Sequence, residues 1–307
     1  MQIQKFLLTI LVYSVFHLGL IISCSKNSGL ENEKAGQQFS FGVIADCQYC
    51  NKEDHGTRRY SLSKQKLKEA VKNFNKMDLE FVVQLGDLID KDYVSYDTVL
   101  PILKKLNVPY YHVLGNHDFS VSDSLKKTVP EKLNMKSRYY DFTVKEYRFI
   151  ILDGNDISFY AYPKETEAYK DADLYYRIND IDSPKWNGAI GTEQLAWLRS
   201  VLAKANKLNE KVILICHFPV YPEDEHNLWN APEIINLIGS YPCIKAYFSG
   251  HNHQGNYALR GGVHYLNFKG MVEAESTSYS QIQVYADSLK VIGFGREENR
   301  TLIFDFD

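Results

Sequence analysis

Phe81-Val82-Val83-Gln84-Leu85-Gly86-Asp87 is the stretch on which the fold turns. An apolar run of strand length stops at a glycine, and a carboxylate follows at once. Such a run, bounded by turn residues, is the pattern of a buried strand. The same pattern lies on both sides of it. Phe39–Ala45 stops at Asp46, and Tyr110–Leu114 stops at Gly115-Asn116. Between these runs, Leu62–Met77 places Leu67, Ala70, Val71 and Phe74 at helical spacing. Tyr96–Leu106 does the same with Val99, Leu100, Leu103 and Leu106. Strand, helix, strand, helix, strand with short links predicts a βαβαβ unit with parallel pairing, and so an α/β fold.

The rest of the chain continues in that style. Tyr139–Val144 and Arg148–Leu152 read as paired strands, and Glu193–Lys207 reads as a helix with Leu195, Leu198, Val201 and Leu202 inward. Val212–Ile215 is a strand ending at Cys216-His217. After a short helix at Pro232–Ile238, the strand Ile244–Phe248 ends at Gly250-His251. Several short alternating strands fill Val263 to Phe306. Asp153–Ile190 has no clear period and is long for a loop, which predicts an ordered insertion near function. The expected organisation is one domain over 39–307 with an insertion at about 153–190.

The chain has 307 residues, 45% hydrophobic and 24% charged, with a formal net charge of −3. That is a globular composition, and its mild acidity excludes a protein that holds nucleic acid by charge alone. Five cysteines do not make a disulfide scaffold. Cys47 and Cys50 form a C-x-x-C that reads as a disulfide, a redox pair or simple packing. The 22 tyrosines imply either a generous aromatic core or a surface built for stacking. At the N-terminus, Lys5 precedes an apolar run from Phe6 to Ile22, the layout of a secretory signal. Ile21-Ile22-Ser23-Cys24 resembles a bacterial lipoprotein processing site, with Cys24 as the lipidated residue; an uncleaved helical anchor is the alternative. Polar residues 24–38 read as a tether. The expected location is the bacterial cell envelope, on the periplasmic side or the cell surface, with the membrane reached through the lipid.

The chemistry-bearing residues share one property: each lies just past the C-terminal end of an apolar strand. In open α/β sheets that edge is where ligands bind. The ends carry Asp46 and Gln48, Asp87, Asn116 with His117 and Asp118, His217, and His251 with His253. Oxygen donors mixed with imidazoles suit Mn²⁺, Fe or Zn²⁺. Asp87, on the central strand, is the natural bridge between two cations. Asp46, Gln48 and His253 complete one site; Asn116, His217 and His251 complete the other. His251 and His253 stand two apart, so an extended backbone sends them to opposite sides. Two cations together activate a shared water and clamp the oxygens of an in-line displacement at phosphorus. His117 is then free to act as general acid toward the leaving oxygen, oriented by Asp118.

Asp46-Cys47-Gln48, Gly86-Asp87, Gly115-Asn116-His117-Asp118, Cys216-His217 and Gly250-His251-Asn252-His253 resemble the five motifs of the calcineurin-like metallophosphoesterases. The resemblance spans about Phe39 to Phe268. It implies an αββα sandwich, a hydrolase and a dinuclear centre. Most of the superfamily has His where this chain has Gln48. An Asp-x-Gln opening is similar to the manganese-dependent ADP-ribose/CDP-alcohol diphosphatase group. The segments Phe41–Tyr49, Arg58-Arg59-Tyr60 and Asn187–Gly191, followed by Gln194–Leu198, resemble that group as well. The resemblance therefore implies hydrolysis of the diphosphate in a nucleotide-type substrate. The cofactor is two divalent ions, Mn²⁺ first, with Fe, Zn²⁺ and Mg²⁺ also compatible.

Arg58 and Arg59 follow the first metal loop and either pair with a phosphate or start a solvated helix. Tyr49 and Phe119 flank ligand positions and are candidates for substrate contact. Tyr160, Tyr162, Tyr169, Tyr175, Tyr176 and Trp186 in the insertion either stack on a base or pack a lid. Two rival functions stay open on sequence: a phosphomonoesterase or cyclic-nucleotide phosphodiesterase on the same scaffold, and a non-catalytic metal-binding lipoprotein.

Overall fold

The computed structural model describes residues 36–304. The expected signal segment, Cys24 and most of the tether lie outside the described residues. In chain order the strands are β1 (Gln37–Ile44), β2 (Phe81–Gln84), β3 (Tyr110–His112), β4 (Tyr140–Val144) and β5 (Tyr147–Ile151). They continue with β6 (Ile157–Ser158), β7 (Gly188–Ala189), β8 (Lys211–Ile215), β9 (Ile244–Ser249) and β10 (Asn256–Arg260). The last four are β11 (Val263–Asn267), β12 (Ser278–Tyr285), β13 (Ser288–Gly295) and β14 (Arg300–Ile303).

Two six-stranded sheets result, ordered β14-β13-β12-β1-β2-β3 and β10-β11-β9-β8-β5-β4. The expected βαβαβ unit is present: β1 pairs in parallel with β2, and β2 with β3. In the second sheet β5, β8, β9 and β11 are parallel. Alternation along each strand decides which face a side chain serves. Phe41, Val43, Phe81, Val83, Phe149, Ile151, Ile213, Ile215 and Phe248 meet between the sheets. Their neighbours Ile150, Val212 and Leu214 face outward under the helix Thr192–Lys207, against Leu195, Leu198 and Leu202. Ile44 and Val82 likewise lie under the helices Tyr60–Phe74 and Tyr96–Leu103. Both faces of each central strand are covered, which is why those strands read as unbroken apolar runs. The order of layers is α, β, β, α.

The inner layer is aromatic. Phe41 stacks on Phe81 at 4.8 Å, and Phe149 meets Phe81 edge-on at 4.9 Å. Much of the tyrosine excess is spent inside, and three of these hydroxyls find a backbone acceptor. Tyr140 donates to His112 O, Tyr147 to Tyr285 O, and Tyr247 to Phe218 O.

The segment expected as an insertion has secondary structure of its own. It carries the β6–β7 pair and a helix at Glu167–Ile178. Only Ala172 of that helix is buried, so no apolar stripe announces it in the sequence. Three of the segment's aromatic rings pack together, Phe159 with Tyr169 and Tyr176, and Phe159 also meets Trp229 from outside the segment.

Candidate metal centre

The loops after β1, β2 and β3 of one sheet and after β8 and β9 of the other meet at the C-terminal ends of these strands and bring the seven expected ligand residues together. Four of them, Asp46, Gln48, Asp87 and His251, hold a positive φ of 44–71°. That conformation is strained for residues with a side chain, and such strain concentrates at functional sites. Glycines let the loops close in. A Cβ at Gly115 would lie 2.0 Å from Asp87 Oδ1, and one at Gly250 would lie 2.6 Å from Asp46 Oδ2.

Asp87 sits in the middle and is fully buried. Its Oδ2 lies 3.1 Å from Gln48 Nε2 and 3.2 Å from His217 Nε2. Around it two groups form. Gln48 and Asp46 lie 3.1 Å and 3.5 Å from His253 Nε2. On the other side, His217 Nε2 lies 3.2 Å from His251 Nδ1. Asp87, His217 and His251 each offer a ligand atom within 4.8 Å of the others. His251 and His253 do part to different groups, but through a turn at His251 rather than along an extended strand.

Each imidazole is aimed by a partner on its outer nitrogen. His217 Nδ1 meets Leu85 O at 2.8 Å, His251 Nε2 meets Asn187 Oδ1 at 2.8 Å, and His253 Nδ1 meets Glu273 Oε1 at 2.7 Å. Partners of this kind fix the tautomer of a ligating histidine. Burial alone would push His217 down, but the Asp87 carboxylate outweighs it and lifts the ring to about 9. Burial also opposes charge on His253, and Asp46 and Glu273 lift it to about 9. Burial raises Asp87 and is overcome by the charge of His217, so Asp87 stays ionised. His251 is pushed well down by burial and by His217.

The residues fit divalent cations. Gln48 Oε1 and Asn116 Oδ1 are buried with no hydrogen-bond partner among the described residues. An orphaned buried acceptor costs about 1–3 kcal/mol, and a cation among these oxygens and imidazoles would relieve it.

Three expectations are corrected. Asp118 does not orient His117. Its carboxylate accepts from the backbone N–H of Asp87, Leu88 and Gly115 and from the Tyr96 hydroxyl, at 2.9–3.1 Å. It is a buried clamp on the ligand loops, and burial and Asp87 push its pKa up to about 6. Asp90 holds His117 instead, with Oδ1 at 2.7 Å from Nδ1. Phe119 is buried beneath the Arg138 guanidinium and cannot reach substrate. Arg59 turns outward to Glu275 and Gly56 O. Arg58 remains at the site, with Nη1 3.9 Å from Asp90 Oδ2, and Tyr49 is half-buried on the first metal loop. Cys47 and Cys50 are free, buried thiols in packing roles.

Sequence reasoning missed Asp90, Asn187 and Glu273 as supporting residues. Asp90 had a signal, since it follows Asp87 by three in the same loop. Glu273 had none.

The calcineurin-like phosphoesterase family model matches residues 39–255. The chain belongs to this family and is a metallophosphoesterase, a hydrolase of phosphoester or phosphoric anhydride bonds. More particularly, it is 31% identical to the manganese-dependent ADP-ribose/CDP-alcohol diphosphatase of Xenopus laevis, over 86% of this chain and 90% of that protein. It is 34% identical to the one of Arabidopsis thaliana, over 85% of this chain and 96% of that protein. Among solved structures, a dimetal phosphatase from Danio rerio superposes with a TM-score of 0.79 at 26% identity, over 88% of this chain and all of that one.

Proposed function

We propose that this chain hydrolyses the diphosphate of nucleoside diphosphate compounds, of the ADP-ribose or CDP-alcohol type, at a centre of two divalent cations with manganese preferred. The observation that carries the two-cation reading is the shared carboxylate of Asp87, flanked by the orphaned oxygens of Gln48 and Asn116. The substrate class rests on the names of relatives that match nearly the whole chain. Those relatives give the non-catalytic alternative no support.

Asp46, Gln48 and His253 would hold one cation, Asn116, His217 and His251 the other, with Asp87 between them. When bound, two such ions lower the pKa of a water and offset charge developing at phosphorus. His117 donates a proton from Nε2 to the leaving phosphate oxygen. Asp90, 2.7 Å from Nδ1, holds the ring in the orientation that turns Nε2 toward the substrate. Arg58 adds positive charge beside His117. Asp118 keeps the loops after β2 and β3 in register, so that Asp87, Asn116 and His117 act from fixed positions.

The test is a substrate panel on the purified protein, with Mn²⁺ and Mg²⁺ compared. ADP-ribose should give AMP and ribose 5-phosphate, and CDP-choline should give CMP and phosphocholine. Turnover confined to p-nitrophenyl phosphate or cyclic AMP would overturn the diphosphatase reading in favour of the monoesterase or cyclic-nucleotide rival.

A further inference from the structure

A second histidine borders the centre, and the chemistry above does not use it. His226, on the loop after β8, stands with its ring centroid 5.4 Å from that of His251. Asp224 holds it from both sides, accepting from its backbone N–H at 2.9 Å and lying 2.6 Å from Nδ1. The other oxygen of Asp224 accepts from Asn252 Nδ2 at 3.2 Å, within the His251–His253 turn. Nε2 is thereby left as the presented nitrogen, on a side chain 27% exposed. Trp186 lies beside it, ring centroids 6.5 Å apart, and is 38% exposed. The next residue, Asn187, ties this wall together, donating to Glu225 O at 2.7 Å and to Ser183 Oγ at 2.9 Å while its Oδ1 meets His251. His117 comes from the other sheet, on the loop after β3.

We propose that His226 and Trp186 form the subsite for the half of a nucleoside diphosphate compound that lies beyond the attacked phosphorus. This rests on the diphosphatase reading above. His226 Nε2 binds an oxygen of the second phosphoryl group, and the open indole face stacks on the base. A held imidazole beside a cation centre suits an additional anionic oxygen. A phosphomonoester or free phosphate held at the cation centre carries no second phosphoryl group for His226 and no diphosphate-linked base for Trp186.

The test uses the full chain loaded with Mn²⁺, and calorimetry of α,β-methylene-ADP (a non-hydrolysable diphosphate) and of inorganic phosphate. H226A and H226Q should weaken α,β-methylene-ADP about tenfold or more and leave phosphate within about twofold. W186A should weaken α,β-methylene-ADP while leaving methylenediphosphonate, which has no base, unchanged. Unaltered affinity for α,β-methylene-ADP in the His226 variants, or an equal loss for phosphate, would overturn the subsite. Hydrolysis by the wild type separates the two ideas. ADP-ribose cleavage with variants that bind α,β-methylene-ADP normally sinks the subsite alone. Monoester-only turnover with the binding differences intact sinks the diphosphatase reading alone.

Discussion

His117 Nδ1 lies 2.7 Å from Asp90 Oδ1, a carboxylate 27 residues earlier in the chain, while the adjacent Asp118 faces the backbone of the ligand loops. The two acids therefore fail differently. D90N removes the carboxylate that holds the His117 ring in place and should lower kcat about a hundredfold or more, as for loss of general acid catalysis. Metal content and melting temperature should stay near wild type. D118N removes a charged acceptor from three backbone N–H groups and a tyrosine, so its first effect should be a loss of stability on the order of 2 kcal/mol. Thermal unfolding and metal analysis of the two variants check the division of labour.

Asn187 Oδ1 fixes the outer nitrogen of His251. N187A frees that ring to turn and should weaken metal binding about 10- to 100-fold. Titration of the metal-free protein with Mn²⁺ reads this directly, and an affinity equal to wild type would contradict it.

Lys66 supports the centre from below. Its buried ammonium donates to the carbonyls of Met271, Val272, Glu273 and Ala274 at 2.6–3.4 Å. Burial pulls its pKa down to about 8. That segment carries the Glu273 carboxylate that holds His253. K66M should cost on the order of 2 kcal/mol, as when buried carbonyls lose a charged donor. Loss of Glu273 alignment should also lower manganese affinity, and urea unfolding with a metal titration tests both.

His112 sets an acid limit on stability. Burial pushes it down to about 4, from an ordinary value near 6.5. The folded protein keeps the ring neutral, while the unfolded chain takes up a proton below pH 6.5. Its contribution is therefore intact above pH 6.5 and lost as pH falls toward 4. Between pH 7 and pH 5 the loss should reach about 2 kcal/mol. H112Q should remove that much of the difference in urea unfolding between the two pH values.

The ligand loops were legible because each follows an apolar run that stops at Gly or a polar residue, as at Gly86-Asp87 and Gly115-Asn116. Strands buried on both faces advertise themselves in that way. What supports the ligands was less legible. Asn187 and Glu273 lie far from His251 and His253 in sequence, and only the fold brings them together. Asp118 follows His117 in the chain, but adjacency in sequence does not bring their side chains together. In the 3₁₀ turn at His117–Phe119 the two point different ways. The Glu167–Ile178 helix was invisible because it buries a single alanine.

Everything proposed for the centre depends on Asp87 being shared by two cations. Electron paramagnetic resonance of the protein titrated with Mn²⁺ tests this most directly. Two Mn²⁺ per chain, with the multiline spectrum of exchange-coupled ions that collapses in D87N, is the expected result. A single bound Mn²⁺, or two uncoupled ions each giving an isolated six-line spectrum, would contradict it.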